Sequence, residues 1–441
     1  MDNPQVPRPY VYVTLDGPDD GGDFGPHTPA TKTSGIQEAL DYAHAHGRDV
    51  HIWGGRGGLH KGQGVAHNIY TLDETLRIPW SQDFNLSGGN YLLSYRPARG
   101  HAVHIDSQMN CRYKLGLIGS SSPDAVVTLR PQTPGPDDFV AITGSVFDFS
   151  AICSHHPEGT GLLLDAAQGP IINSRIFAEE TNTEGTGVRL SDAGGAGQWI
   201  SNNHIQVMYG NQYHAKGHCT GLRLGDPGSR KIVHNRLELS FHAPRGAQFD
   251  PREKVYVTAP DFVPEEAIGA RIYAQHNALT LSSFGFRQPG HDIVFEAEAR
   301  DNAIYALNLP NGITNKAAIP TSKIIPNGPV GFEISTPSVP AAGEVLTNAH
   351  PYSVQIFILT PGRISAWTIT EAARAPQPVP HNLSLVDNLR HPPRPAPPPP
   401  AALSQTICAG LYPGQTFILE PGDKMRLDYT EAPTWRWKAL S

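Results

Sequence analysis

The fold is decided by residues 186–205, TGVRLSDAGGAGQWISNNHI, in which a glycine-led strand is followed, after a short turn, by an asparagine-led strand. Both motifs recur along the chain. A unit of this size cannot bury its apolar face alone, so neighbouring copies must stack to form a core. The repeat therefore predicts a solenoid of short parallel strands. The glycine-led copies are Thr160-Gly161-Leu162-Leu163-Leu164, Thr186-Gly187-Val188-Arg189-Leu190, Thr220-Gly221-Leu222-Arg223-Leu224 and the looser Ile268-Gly269-Ala270-Arg271-Ile272.

The asparagine-led copies indicate a polar ladder along the solenoid. Asparagine tolerates a left-handed backbone, and its amide can hydrogen-bond to the next coil, so we expect a structural role. The ladder positions are Ser174, Asn203, Asn235, Asn277 and Asn302, each two residues before an aliphatic residue.

Strand alternation predicts a row of arginines on one outer face. Residues on either side of Arg189, Arg223 and Arg271 are apolar and face the core, so the arginines face outward. Stacked coils lie about 4.8 Å apart, so these charges need partners. Two interpretations stay open: a surface salt-bridge ladder with the aspartates that follow the strands, or a stripe that binds carboxylate or sulfate groups.

Both ends of the chain differ from the repeats. Ser34 and Gln37 match a capping box, and the apolar residues of 36–43 predict a helix that stops at Gly47. Strand-like runs and a Pro-rich linker at 391–400 predict a small C-terminal β module. The expected organisation is 1–99 (N-terminal loop, capping helix and first coils), 100–335 (repeats) and 336–441 (C-terminal β module).

Net charge and the distribution of apolar residues disfavour some classes of function. A net charge of −7 disfavours a general nucleic-acid binder. No apolar run reaches the roughly 18 residues of a membrane span. The first residues, Met1-Asp2-Asn3-Pro4, lack the basic and apolar parts of a signal peptide, so the compartment is unknown; a removed leader would place the protein in the periplasm or outside the cell.

At its N-terminus and along its ladder, the sequence resembles the pectin-lyase-like superfamily of right-handed parallel β-helix proteins. The matching pieces are Asp19-Asp20, Ile36-Gln37-Glu38-Ala39-Leu40, Val50-His51-Ile52-Trp53 and the asparagine ladder. The resemblance implies an all-β solenoid with an N-terminal capping helix, a carbohydrate partner and a homotrimer. It also implies that the protein is a polysaccharide-degrading enzyme, a tailspike or an adhesin. The Gly-His-Gly, Asn-Thr-Asp and Trp-Ile-Asp-His motifs of its best-known enzymes are missing, so their catalytic residues cannot be transferred.

The first functional hypothesis is a glycoside hydrolase or intramolecular glycosyl transferase that works through paired carboxylates. Asp192, Asp226 and Glu238 are the candidate catalytic residues, because they come from corresponding parts of successive coils. No metal ligands and no cofactor are expected for this reaction. The candidate substrate-binding residues are Arg189, Arg223, His204, His234, Tyr209 and Arg271.

Two alternatives stay open. A lyase would cleave a uronate polymer by β-elimination, with Arg189, Arg223, His234 or Tyr209 in the site and Ca²⁺ as a possible cofactor. A non-catalytic adhesin or tailspike-like protein would bind a polysaccharide or oligosaccharide without cleaving it.

Overall fold

The computed structural model describes residues 10–54, 68–210, 218–242, 247–250, 255–258, 266–284, 290–309, 312–318, 320–326, 334–372 and 403–440. The predicted Pro-rich linker lies outside the described residues. These residues form the helix α1 (Ile36–His46) and short 3-10 helices at Gly17–Asp20, Pro136–Asp138 and Ala193–Gly195.

The strands alternate with turns along the whole described chain. From the N-terminus they are β1 (Tyr10–Val13), β2 (Asp49–Ile52), β3 (Asn68–Leu72), β4 (Leu76–Ile78), β5 (Ser81–Gln82), β6 (Asn85–Gly88), β7 (Tyr91–Tyr95), β8 (Val103–Ile105), β9 (Gln108–Met109), β10 (Arg112–Ser120), β11 (Val127–Leu129), β12 (Ile142–Thr143), β13 (Val146–Ser154), β14 (Thr160–Asp165), β15 (Ile171–Ile172), β16 (Arg175–Thr183), β17 (Thr186–Ser191), β18 (Ile200–Ser201) and β19 (His204–Gly210). The later strands are β20 (His218–Leu224), β21 (Ile232–Val233), β22 (Arg236–His242), β23 (Ala247–Asp250), β24 (Val255–Thr258), β25 (Glu266–Ile272), β26 (Ala278–Phe284), β27 (Gly290–Phe295), β28 (Ala303–Asn308), β29 (Ile313–Asn315), β30 (Lys323–Pro326), β31 (Val345–Thr347), β32 (Val354–Thr360), β33 (Arg363–Thr370), β34 (Ser404–Ile407), β35 (Thr416–Leu419), β36 (Lys424–Glu431) and β37 (Thr434–Ala439).

Apart from β23 and β24, which pair antiparallel with each other, the strands up to β30 form a parallel β-helix, as predicted. Sheet A contains β1-β2-β6-β10-β13-β16-β19-β22-β26-β28-β30, with β7 beside β10 and β3 beside β7. Sheet B runs β4-β8-β11-β14-β17-β20-β25-β27-β29, and sheet C runs β5-β9-β12-β15-β18-β21. The chain passes from A to B to C in each central coil and then returns to A one coil higher. Stacked aliphatic and aromatic side chains fill the space between the three sheets.

Sheet C is absent from the sequence prediction, which expected two strands per repeat. Its strands have two residues each, as at Ile171–Ile172, Ile200–Ser201 and Ile232–Val233. Two residues cannot display a period of two, so alternation could not reveal them.

The asparagine ladder forms as predicted. The backbone N–H of Asn203 donates to Asn235 Oδ1 (3.1 Å), and that of Asn235 donates to Asn277 Oδ1 (3.0 Å). Asn277 N–H donates in turn to Asn302 Oδ1 at 3.0 Å, and Asn302 N–H donates to Ser322 Oγ at 3.2 Å. All four asparagines are at most 3 % exposed, so the ladder satisfies backbone groups that water cannot reach.

The left-handed backbone lies one residue before the position that the sequence indicated. The residue with positive φ precedes each ladder residue at the corner between sheets C and A, so the ladder asparagines serve as hydrogen-bonding groups alone. The corner residues are Asn110, Gly144, Asn173, Asn202, His234, His276 and Asp301.

The glycine of the Thr-Gly motif makes room for stacked aromatic rings. A Cβ atom on Gly187 would lie 2.6 Å from the ring of Tyr209, and one on Gly221 would lie 2.7 Å from the ring of Phe241. These two rings stack at 5.2 Å between centroids inside the core. Only a residue without a side chain fits between the corner backbone and this stack.

The N-terminal helix forms as predicted, but Ser34 does not cap it. Ser34 Oγ donates instead to the Thr71 carbonyl (2.8 Å), and Gly35 occupies the N-cap with a left-handed backbone. The hydroxyl of Thr33 accepts the Gln37 N–H at 3.0 Å. Gly47 ends the helix in a left-handed conformation, as expected.

The C-terminal residues form two antiparallel sheets, β31-β36-β33-β34 and β35-β32-β37. We call residues 345–439 with these strands the C-terminal module; it has its own buried cluster, which includes Trp435 and Trp437. The module contacts the last coil, where Ile324 N–H donates to the Pro351 carbonyl at 2.6 Å.

Candidate functional site

The predicted arginine row is present on the outer face of sheet B. Arg189 pairs in register with Arg223, and Arg223 pairs with Arg271, on adjacent strands. Their side chains are 36 %, 30 % and 25 % exposed, so each side chain is partly accessible to solvent. We call these three residues the arginine row.

Asp226 binds two members of this row through one oxygen atom. Its Oδ1 lies 2.8 Å from NH2 of Arg189 and 2.8 Å from NH2 of Arg223, while its Oδ2 accepts a hydrogen bond from Ser191 at 2.7 Å. Burial alone raises the pKa of Asp226, but the Ser191 hydrogen bond and the two arginines outweigh burial and lower that pKa below its ordinary value. Asp226 is therefore held as a carboxylate at neutral pH and is poorly suited to donate or accept a catalytic proton.

Two arginines of the row share one carboxylate, because Asp226 pairs with both Arg189 and Arg223. NH1 of Arg271 lies 3.4 Å from Glu296 Oε1. The same oxygen atom forms an ion pair with Nζ of Lys316 at 3.6 Å. The Nε atom of Arg189 is buried and has no hydrogen-bond partner.

Asp192 is a structural residue, which corrects its prediction as a catalytic carboxylate. Its side chain is fully buried, and Oδ1 accepts hydrogen bonds from Gly195 N–H (3.1 Å) and the Ser229 hydroxyl (2.5 Å). Its Oδ2 accepts the N–H groups of Arg230 and Lys231, each at 2.9 Å. The carboxylate thus ties two turns of successive coils together and cannot reach a substrate.

Tyr209 is a core residue, which corrects its prediction as a substrate-binding residue. It is fully buried, and its hydroxyl donates to the Thr183 carbonyl at 2.8 Å. The sequence held a signal for this position, because Tyr209 has the same strand parity as the buried Ile205 and Val207.

The remaining predicted residues lie away from the arginine row. Glu238 and His204 face outward on sheet A, where His204 Nε2 lies 3.2 Å from Glu238 Oε1 and NH2 of Arg236 lies 2.9 Å from the same oxygen. His234 lies at the corner between sheets C and A and stacks on His276 at 6.0 Å. Since Glu238 belongs to another sheet than the strands preceding Asp192 and Asp226, the predicted trio does not flank one bond.

Sequence reasoning missed a second group of carboxylates on the outer face of sheet A. Asp148 and Glu179 line a pocket of about 290 Å³ together with Phe177, Gln206 and Met208. Asp148 lies opposite Phe177 on the neighbouring strand, and its Oδ1 is buried without a hydrogen-bond partner. Alternation against the buried Phe147 and Phe149 indicates that Asp148 faces outward, so the signal was present.

Two further observations concern the described residues alone. No cluster of three or more potential metal-ligating side chains occurs among them. None of their helices combines the length and the hydrophobicity needed to cross a bilayer.

The comparisons with known proteins leave the function open. No protein-family model matches the sequence, and no curated protein matches it. Among solved structures, the chain is similar to the tailspike protein of E. coli bacteriophage HK620 in complex with a pentasaccharide, with 9 % identity, 94 % coverage of this chain, 90 % coverage of that chain and a TM-score of 0.20. At that TM-score the likeness carries no argument, and strand pairing alone establishes the parallel β-helix. Membership of the pectin-lyase-like superfamily stays a prediction.

Proposed function

We propose that the protein binds an acidic polysaccharide along the arginine row of sheet B. The observation that carries the proposal is a local charge excess within this row, where Arg189 and Arg223 share the single carboxylate of Asp226. The protein as a whole has a net charge of −7, so the excess is local. A polymer with regularly spaced carboxylates or sulfates would complete the charge balance.

The geometry of the row suits repeated anionic groups. Strand pairing spaces the Cα atoms of the three arginines about 4.8 Å apart along the solenoid. A guanidinium has five N–H donors in a planar fork, and Asp226 occupies only one nitrogen each of Arg189 and Arg223. The remaining terminal N–H groups of these two partly exposed side chains can bind a ligand oxygen.

Polygalacturonate and its methyl-esterified, neutral form provide the test. We expect the wild type to bind polygalacturonate, to ignore the esterified polymer and to lose affinity as salt screens the charges. Arg271→Gln, which leaves Lys316 on Glu296, should weaken binding about tenfold, in line with the loss of one charge-assisted hydrogen bond.

A matched control replaces an arginine that is also paired but far from the row. Arg363→Gln removes a charge next to Glu431 in the C-terminal module and should bind like the wild type. Equal affinity for both polymers, or equal losses in the two variants, would reject the proposal. Sedimentation of the free and bound protein would also test the predicted trimer.

Cleavage of a glycosidic bond is a second candidate, favoured by the pocket on sheet A. Asp148 and Glu179 lie on adjacent strands, two residues out of register, so their Cα atoms are about 8 Å apart. Outward-facing side chains that start at this Cα spacing can place their carboxyl groups roughly 6.5–9.5 Å apart, the separation at which an inverting glycosidase flanks a bond. Phe177, which lines the same pocket, offers an apolar face for a sugar ring.

Product analysis separates cleavage from binding. Hydrolysis releases reducing ends without ultraviolet absorbance, elimination releases reducing ends with the absorbance of unsaturated uronates, and a binding protein releases neither. Asp148→Asn and Glu179→Gln should each abolish hydrolysis, whereas Glu238→Gln on the same face should retain it. Addition of a calcium chelator tests the lyase alternative. Full activity in both pocket variants would remove this assignment.

A further inference from the structure

A cavity of about 250 Å³ lies where the last coils meet the C-terminal module. The solenoid contributes His276, Asp301 and Lys323 to its lining, and the module contributes Glu420 and Asp423. The cavity belongs to neither the arginine row nor the pocket on sheet A. Its volume is below that of pockets for drug-sized ligands, which leaves room for a single small ring.

Two buried polar atoms in this cavity have no hydrogen-bond partner. The side chains of His276 and Asp301 are 8 % and 14 % exposed, and both line the cavity. His276 Nε2 and Asp301 Oδ2 are 3.8 Å apart, which is too far for a hydrogen bond, and neither atom has another partner. Buried polar atoms in folded proteins are almost always paired, so we expect a small polar group that contacts both atoms from the cavity.

The other charged groups of the cavity are already engaged. Glu420 accepts a hydrogen bond from Ser353 at 2.9 Å and forms an ion pair with Lys323. Asp423 accepts the N–H groups of Ala372 and Glu420, each at 2.9 Å. The cavity therefore presents His276 and Asp301 as its open binding groups.

The charge of the lining selects the class of ligand. Burial lowers the pKa of His276 more than Asp301 raises it, while His234 and Arg300 lower it further. With His276 neutral, the three carboxylates outweigh Lys323, so an anion is disfavoured. A hydroxyl group can donate to Asp301 Oδ2 and accept from Nε2–H of His276 at the same time.

We propose that this cavity binds one neutral sugar unit, with a hydroxyl group between His276 and Asp301. The site is distinct from the proposed polysaccharide surface and would hold either a free monosaccharide or the end of a glycan chain. Its contacts come from both the solenoid and the C-terminal module, so an occupied site would tie the two together.

Binding of methyl β-galactopyranoside and methyl β-glucopyranoside, followed by saturation-transfer difference NMR, tests the proposal on the full chain. We expect a dissociation constant of about 1 mM for at least one of them, as for a small ligand with few polar contacts. Glucuronate should not bind. His276→Asn and Asp301→Asn should each weaken binding about tenfold or more.

Both variants keep the left-handed corner, because asparagine occupies it in other coils, as at Asn202. Asp83→Asn is the matched control, since Asp83 is exposed and has the same left-handed backbone in an early coil. It should bind like the wild type. Absence of any signal up to about 50 mM glycoside would mean that water alone fills the cavity and would overturn the proposal.

Unchanged affinity in Asp301→Asn, or equal binding of glucuronate, would overturn the proposal as well. The experiment is independent of the polysaccharide surface, because it uses uncharged single sugars, whereas that surface is tested with polygalacturonate.

Discussion

Replacing Asn235 by alanine should destabilise the centre of the solenoid about as much as a large-to-small substitution in its apolar core. Its Oδ1 accepts hydrogen bonds from the backbone N–H (3.1 Å) and the side-chain amide (3.0 Å) of Asn203. Its own Nδ2 donates to the Ile200 carbonyl at 2.9 Å, to the Val233 carbonyl at 3.1 Å and to Asn277 Oδ1 at 3.0 Å. Alanine makes none of these contacts.

The magnitude follows from the groups left unpaired. The side chain of Asn203 keeps its bond to the Ile171 carbonyl, but its backbone N–H loses its acceptor in a region that water does not reach. The Ile200 carbonyl loses a donor as well. Each buried, unsatisfied group costs about 1–3 kcal/mol, so we expect a loss of about 2–6 kcal/mol in the free energy of unfolding.

Asn235→Ser is the matched control, because serine occupies the equivalent ladder position at Ser145 and Ser174. The Ser174 hydroxyl accepts the Ser145 N–H at 3.3 Å, which shows that a hydroxyl can reach the preceding coil. This variant should lose only about 1–2 kcal/mol.

The assay combines urea unfolding with hydrogen exchange, since a repeat protein can unfold in parts. Faster exchange should appear at the Asn203 amide and its neighbouring coils before the C-terminal module is affected. If Asn235→Ala loses less than about 1 kcal/mol, or no more than Asn235→Ser, the ladder does not stabilise the fold in the way described.

Three further predictions concern the neighbourhood of the arginine row and the core. The lowered pKa of Asp226 means that its stabilisation is complete above its ordinary value of 3.8 and is lost as the pH falls through the lowered value. Melting temperatures measured against pH should therefore drop below about pH 4 in the wild type, and Asp226→Asn should be less stable at neutral pH by about 2 kcal/mol and lack part of that drop. Gly221→Ala places a Cβ atom 2.7 Å from the ring of Phe241 and should cost about 1–3 kcal/mol by urea unfolding, whereas Gly89→Ala, with no atom within 4 Å, should be neutral. Tyr209→Phe loses one buried hydrogen bond, so it should cost about 1 kcal/mol and leave polysaccharide affinity unchanged; a binding defect without destabilisation would contradict its place in the core.

The sequence predicts those parts of the fold that are encoded by short motifs and repeated from coil to coil. The Thr-Gly and asparagine motifs set the registers that bring Arg189, Arg223 and Arg271 into one row and connect Asn203 to Asn235. The arginine row and the asparagine ladder both depend on the alternation of inward and outward side chains along a strand, and a few residues are enough to reveal that alternation.

The prediction that Asp192, Asp226 and Glu238 form a catalytic trio was wrong because the three residues do not lie in comparable positions. Asp192 and Asp226 follow their strands and turn into the corner, where parity no longer tells which way a side chain points. Glu238 obeys parity but belongs to another sheet. The cavity between His276 and Glu420 depends on how the C-terminal module meets the solenoid, and no local pattern contains that information.

The ladder also gives the solenoid a direction. In every step from Ser145 to Ser322, the backbone N–H of one coil is accepted by a side chain of the next coil toward the C-terminus. During synthesis, the last ladder residue to leave the ribosome therefore has a backbone N–H whose acceptor has not yet been synthesised. Shortening the protein from its C-terminus exposes such an amide at the cut, whereas shortening it from the N-terminus leaves only a spare acceptor, so the two ends should tolerate deletion unequally.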